Sequence, residues 1–133
     1  MSQENVELVR RMCDAFLAGD VATALRGLHE DVKWHGTIAG LDEGRTYRGH
    51  QEVVEAFVES LRDWERHSLA TERFFDAGDR VVVFWHEVGR GRSSGAEVET
   101  RTGVVYRVRD HQVVEVHPYM DRPGALEAAG LQK

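Results

Sequence analysis

Two hydrophobic periods divide this chain, a helical one up to about residue 64 and an alternating one after it. From Ser2 to Ala18 the apolar positions Val6, Val9, Cys13, Phe16 and Leu17 form a stripe, with Glu7, Arg10, Arg11 and Asp14 on the other side. Ser2 suits an N-cap and Gly19 a helix stop. Asp20 is placed to cap a second short helix with Val21, Ala24, Leu25 and Leu28 turned inward. Val32 to Gly36 reads as a short strand, and Gly36 to Gly49 as an irregular, glycine-rich segment. A third helix is predicted from Gln51 to Trp64, with Val53, Val54, Phe57, Val58 and Leu61 on its apolar side.

Strand signals follow. Ser68 to Phe75 alternates up to the turn Asp76-Ala77-Gly78-Asp79, and Arg80 to Val88 is a run of Val, Phe and Trp. Gly89 to Gly95 reads as a hairpin tip. Glu97 to Arg109 places Val98, Thr100, Thr102, Val104, Tyr106 and Val108 on one face. Asp110-His111 turns the chain into a last strand that runs through Val113 to Asp121, and Pro123 to Ala129 reads as a terminal helix closed by Gly130. Helices first and hairpin-linked strands afterwards predict an α+β fold, a curved antiparallel sheet wrapped on about three helices. The expected shape is a cone with an internal pocket at its mouth.

Composition narrows the class. The chain has 133 residues, the size of a single domain spanning 1–133. With 17 basic and 23 acidic residues the net charge is −6, which argues against nucleic-acid binding. One cysteine, Cys13, excludes an internal disulfide, suits a reducing compartment, and on the apolar stripe reads as an inert buried thiol. No apolar run approaches the ~20 residues of a membrane span, and Met1 to Asn5 lacks signal-peptide character. The expectation is a cytoplasmic protein without membrane contact. No phosphate-cradle motif is present, so no cofactor is expected.

The candidate chemistry gathers in the last strand. His117, Tyr119 and Asp121 stand at i, i+2 and i+4, so an unbroken strand would put imidazole, phenol and carboxylate on one face. Against this, Tyr119 can be core-edge filler, His117 solvated, and Asp121 a helix cap; Pro118 also invites a bulge that would turn His117 or Asp121 away. Trp34 and His35 are adjacent and must face opposite sides. His86 stands in an apolar strand, where a satisfied structural histidine is the commoner outcome. A three-histidine metal site of His35, His86 and His117 lacks supporting spacing, and no metal is expected. Tyr47, Phe57 and Tyr106 complete the expected ligand contacts beside Trp34, His35, His86 and Tyr119, with Asp121 and His117 as the expected catalytic pair.

Four segments resemble one known family. They are Glu4 to Arg11 with Ala15 to Asp20, Leu28 to His35, Tyr47 to Val53, and Arg109 to Val114 continuing through Tyr119 to Arg122 and Ala125 to Leu131. Together the chain resembles the nuclear transport factor 2-like superfamily, in its SnoaL-like polyketide cyclase and ketosteroid isomerase-like branch. The resemblance implies a pocket between curved sheet and helices and a homodimer formed through the sheet. In the cyclase branch an Asp on the last strand abstracts a proton next to a carbonyl, and Asp121 is the matching position. The base and oxyanion set of the isomerase branch has no motif match here. The function implied is a cofactor-free cyclase, isomerase or lyase acting on a small apolar or carbonyl-containing molecule. The alternative is a non-catalytic binding domain of the same fold, which hosts many activities.

Overall fold

A computed structural model describes residues 2–131, apart from the side chain of Ser2, so the expected Ser2 cap lies outside the described residues. The elements run α1 (Ser2–Leu17), α2 (Val21–Arg26), β1 (Leu28–His35), β2 (Thr46–Arg48), α3 (Gly49–Leu61), β3 (Trp64–Ala77), β4 (Arg80–Gly91), β5 (Glu97–Arg109), β6 (Gln112–Tyr119) and α4 (Arg122–Ala128). The α+β expectation holds. Six strands form one curved, unclosed sheet in the order β2-β1-β6-β5-β4-β3. Every neighbouring pair is antiparallel except β1 and β6, which run parallel.

Local chemistry explains most boundaries. Gly19 ends α1 at φ 80°, and Asp20 caps α2 by accepting from the Thr23 N–H at 3.2 Å. Asp110 and His111 both have positive φ, 51° and 65°, as a two-residue hairpin turn with right-handed strand twist requires.

Several boundaries differ from the sequence reading. β1 starts at Leu28 rather than Val32, because Leu28 pairs with Val113 across a register break. β2 lies inside the segment read as irregular; it gains its order from pairing Thr46, Tyr47 and Arg48 with β1. α3 stops at Leu61, and Trp64 opens β3, pairing with Gly91. β4 continues to Gly91, so the hairpin tip is shorter than expected. β3 carries two register breaks, one near its start and one between Thr71 and Arg73.

The strands are covered on both faces. Val81, Val83, Trp85, Val104 and Tyr106 belong to the core beneath α1, α2 and α3, with Val9, Met12 and Val53 contributed by the helices. Val82, Phe84 and Val105 point the other way and pack with Ala125 of α4, Phe75, Tyr119 and Leu126. The helices therefore do not all lie on one face; α4 takes the outer one. Arg122 anchors it there. Its guanidinium donates to the Trp85 and Thr102 carbonyls at 3.0 and 3.2 Å, pairs with Glu72 at 2.6 Å, and lies 4.6 Å from the Phe84 ring centroid. Gly103 permits the close approach: a Cβ there would stand 2.7 Å from the Ala125 Cβ.

Cys13 is buried in the inner core as expected, and burial pushes its thiol up to about 12. Burial also raises the Tyr106 phenol well above its ordinary value.

Two outcomes follow from this packing. Gly103→Val drives a side chain into α4 and lowers unfolding stability by about 1–3 kcal/mol in urea titrations, while Gly103→Ala falls between it and the wild type. In the second, the unfolded Cys13 thiol titrates near its ordinary value of 9.0, and the native one keeps its proton to about 12. The native state thus binds the extra proton, and stability falls as pH rises above about 9, by up to about 1.4 kcal/mol per pH unit for this group. Urea titrations between about pH 8 and about pH 10.5 should show that slope reduced in Cys13→Ala.

Candidate functional site: an apolar cavity with one histidine–carboxylate pair

Alternation on the inner face of the sheet and the helical stripes above it enclose a cavity of about 370 Å³, toward the lower end of the ~300–1,000 Å³ usual for small-ligand sites. Met12, Cys13 and Phe16 of α1 and Val53, Val54 and Phe57 of α3 form its roof. Trp34, Trp85, Val104 and Tyr106 form its floor. Its aromatic walls are mutually braced. Phe57 meets Phe16 and Trp34 at centroid distances of 5.3 Å each, and Trp34 stands edge-on to Tyr106 at 6.3 Å. Trp85 Nε1 donates to the Tyr106 hydroxyl at 3.2 Å, and the hydroxyl is also hydrogen-bonded to the Cys13 thiol.

Two described lining residues can carry charge near neutral pH, His67 of β3 and Glu87 of β4. The β3–β4 register pairs His67 with Gly89 and Leu69 with Glu87, so the two side chains are diagonal neighbours on the inner face. His67 Nε2 is hydrogen-bonded to Glu87 Oε2, and Thr100 donates to Glu87 Oε1 at 3.1 Å. The Trp64 ring stacks on His67 with centroids 5.1 Å apart. Gly89 makes room for that ring, since a Cβ there would fall 2.5 Å from it. An ionised carboxylate only accepts, so Nε2 carries a proton, and in the neutral ring the lone pair is on Nδ1. Among the described residues Nδ1 has no hydrogen-bond partner. The arrangement is a base held in one tautomer by a carboxylate, set in an apolar wall.

The residues expected from the sequence divide between the two faces. Trp34, Phe57 and Tyr106 line the cavity. Tyr47 packs at the edge of the inner core, where its hydroxyl donates to Asp42 Oδ2 at 3.1 Å. In β6 it is Pro118 that lines the cavity, and the period of two sends His117 and Tyr119 to the outer face together. Tyr119 joins the core under α4, and His117 stacks on His35 with centroids 4.0 Å apart. His86 is also on the outer face, bonded to Glu99 at 2.5 Å and 3.6 Å from Glu72, so it does not join His35 and His117. Asp121 lies past the end of β6, exposed, at the N-cap position of α4; its side chain makes no capping bond and does not line the cavity.

The sequence reading passed over His67, Glu87 and Thr100. One signal was available: Val81, Val83, Trp85 and Glu87 alternate, so a carboxylate ends an apolar strand face. The signal for His67 was absent, because its strand was expected to start after it.

Comparison with known proteins agrees with this fold. A family model described as SnoaL-like domain matches residues 9–116. No curated protein matches the chain. Among solved structures, an NTF2-like protein from Burkholderia thailandensis is 24% identical, with a TM-score of 0.79 over 96% of this chain and 97% of the other. TerC, co-crystallised with polyporic acid, is 24% identical with a TM-score of 0.75 over 96% and 98% of the two chains. A protein of ketosteroid isomerase-like fold from Catenulispora acidiphila, in complex with trimethylamine, is 15% identical with a TM-score of 0.70 over 94% and 93%. At these identities the structures speak for fold alone. The family match covers most of the chain, and by it the chain belongs to the SnoaL-like domain family.

Proposed function

We propose that the cavity binds a small, largely apolar, carbonyl-containing molecule and that His67, oriented by Glu87, moves a proton on the carbon next to that carbonyl. The observation that carries this reading is the His67–Glu87 pair set into an otherwise apolar wall. A carbon acid needs a base shielded from water and a donor for the developing oxyanion. His67 Nδ1 supplies the first. The Tyr106 hydroxyl, which accepts from Trp85 and is hydrogen-bonded to the Cys13 thiol, is the second, its proton turning from sulfur to the oxyanion. Glu87 stabilises the imidazolium that forms, and Thr100 keeps the carboxylate in place. The step needs no cofactor: the proton leaves carbon for Nδ1 and returns to the same or a neighbouring atom. Asp121, exposed and outside the lining, has no part in it. TerC, similar in fold, was co-crystallised with a small molecule, polyporic acid.

A homodimer packed through the outer sheet face on its β4 side, away from β1 and β6, belongs to the same reading. The half-exposed Val88 on that face supports it, and sedimentation at equilibrium tests it; a monomer at every concentration removes the dimer and leaves the cavity chemistry standing.

The chemistry is tested with a panel of small aromatic and alicyclic ketones in D2O, following α-proton exchange by NMR. The wild type should accelerate exchange for at least one member, and His67→Asn should slow it by about 10²–10⁴-fold. Glu87→Gln should fall between the two, and Asp121→Asn should stay within about twofold of wild type. Ligands that raise the melting temperature of wild type without any exchange would instead make the cavity a binding site alone. Equal rates in wild type and His67→Asn would remove His67 from the chemistry.

A further inference from the structure

A second constellation lies on the opposite side of the sheet. β1 and β6 run parallel with Lys33 opposite Glu115 and Trp34 opposite Val116. Trp34 and Pro118 face the cavity, so alternation turns His35, Glu115 and His117 outward as neighbours. Glu115 Oε2 stands 2.7 Å from His35 Nε2 and 3.3 Å from His117 Nε2. The two imidazole rings are stacked, 9° from parallel. One ligand atom from each residue lies within 4.8 Å of the other two.

We propose that His35, Glu115 and His117 form a zinc(II) site on the outer face of the sheet, with three protein ligands and a fourth position open to solvent. Two imidazole nitrogens and one carboxylate oxygen are a donor set zinc takes. Bonds of about 2.0–2.1 Å in a tetrahedron separate ligand atoms by roughly 3.3 Å. The His117–Glu115 distance already has that value; to admit the ion the His35–Glu115 contact opens by about half an ångström, and the two stacked rings tilt out of parallel so that each Nε2 lone pair meets it.

The surroundings support the three ligands. Thr46 Oγ1 lies 3.4 Å from His35 Nδ1 and holds the ring from its far side, as outer partners of metal-bound histidines do. Arg107 Nε stands 4.0 Å from the other carboxylate oxygen, Oε1, while Oε2 is the oxygen that faces both imidazoles. Each ligand side chain is about one-quarter to two-fifths exposed, 26% for His35 and Glu115 and 38% for His117, which leaves room for a bound water. His35 and His117 are 82 positions apart in the chain, and only the parallel strand pair brings them together. The site stands apart from the cavity chemistry, on the other face of the same two strands.

The test uses full-length protein freed of any affinity tag, titrated with zinc(II) by calorimetry and with cobalt(II) by visible absorption. The expected result is one ion per chain with micromolar affinity and cobalt bands of tetrahedral intensity. His117→Ala and Glu115→Gln should each weaken binding at least about tenfold, and His67→Ala should leave it unchanged. Zinc should raise the melting temperature of wild type and leave that of His117→Ala where it is. If His117→Ala fails to fold, His35→Gln and His117→Gln keep the question open to measurement. No binding by the folded wild type, or binding that survives the His35 and His117 substitutions, overturns the proposal. Loss of binding in His67→Ala alone does so too, by moving the ion to the cavity.

Discussion

The structure depends on burying the middle of the sheet from both sides. Val81, Val82 and Val83 are consecutive and all fully inaccessible, which a strand with one wet face does not allow. Odd positions of β4 feed the core under α1, α2 and α3; even ones feed the smaller core under α4. Once both sides are committed, a slip of one residue would exchange the two cores, so the register is held firmly. Everything functional inherits that register. It puts Glu87 beside His67 on the inner face and His117 beside His35 on the outer.

The two histidine–carboxylate groupings are instructive as a pair. Inside, a half-buried carboxylate borders an apolar space and is held there by a histidine and a threonine hydroxyl. Outside, Glu115 is shared by two stacked histidines and an arginine. Burial acts on Glu115 in the upward direction, but the His35 hydrogen bond and the nearby cations outweigh it and hold its carboxyl below the ordinary value. Burial, with His35 beside it, keeps the His117 imidazole below its own. The same residue types thus acquire different uses from the face on which they stand.

Much of the architecture was legible because its signals are local. The stripe Val6, Val9 and Cys13, the Asp20 cap, the Gly19 stop and the shared face of Thr102, Val104 and Tyr106 all follow from short-range periodicity. The site was less legible because it is made by register over long separations. His67 meets Glu87 through the pairing of a strand whose beginning carries no apolar alternation. The period of two in β6 correctly kept His117 and Tyr119 together, but which face they share is decided by Pro118 and by the partner strands. Asp121 could be read either as a strand residue or as a helix cap; the strand ends at Tyr119, and Asp121 stands at the N-cap position of α4, which begins at Arg122.

The two register breaks of β3 bear on how the molecule meets its neighbours. β3 is the last strand of the sheet, 14 residues long, with one long side unpaired. A straight rim of that length would be a ready template for another chain to extend the sheet. The breaks kink it at two places, and Glu65, Arg66, Glu72 and Arg73 load it with charges of both signs. An incoming strand would find only short stretches to pair with, each flanked by side chains that resist losing water. Association is thereby turned away from the rim and toward the broad faces, where side chains rather than backbone decide the partner.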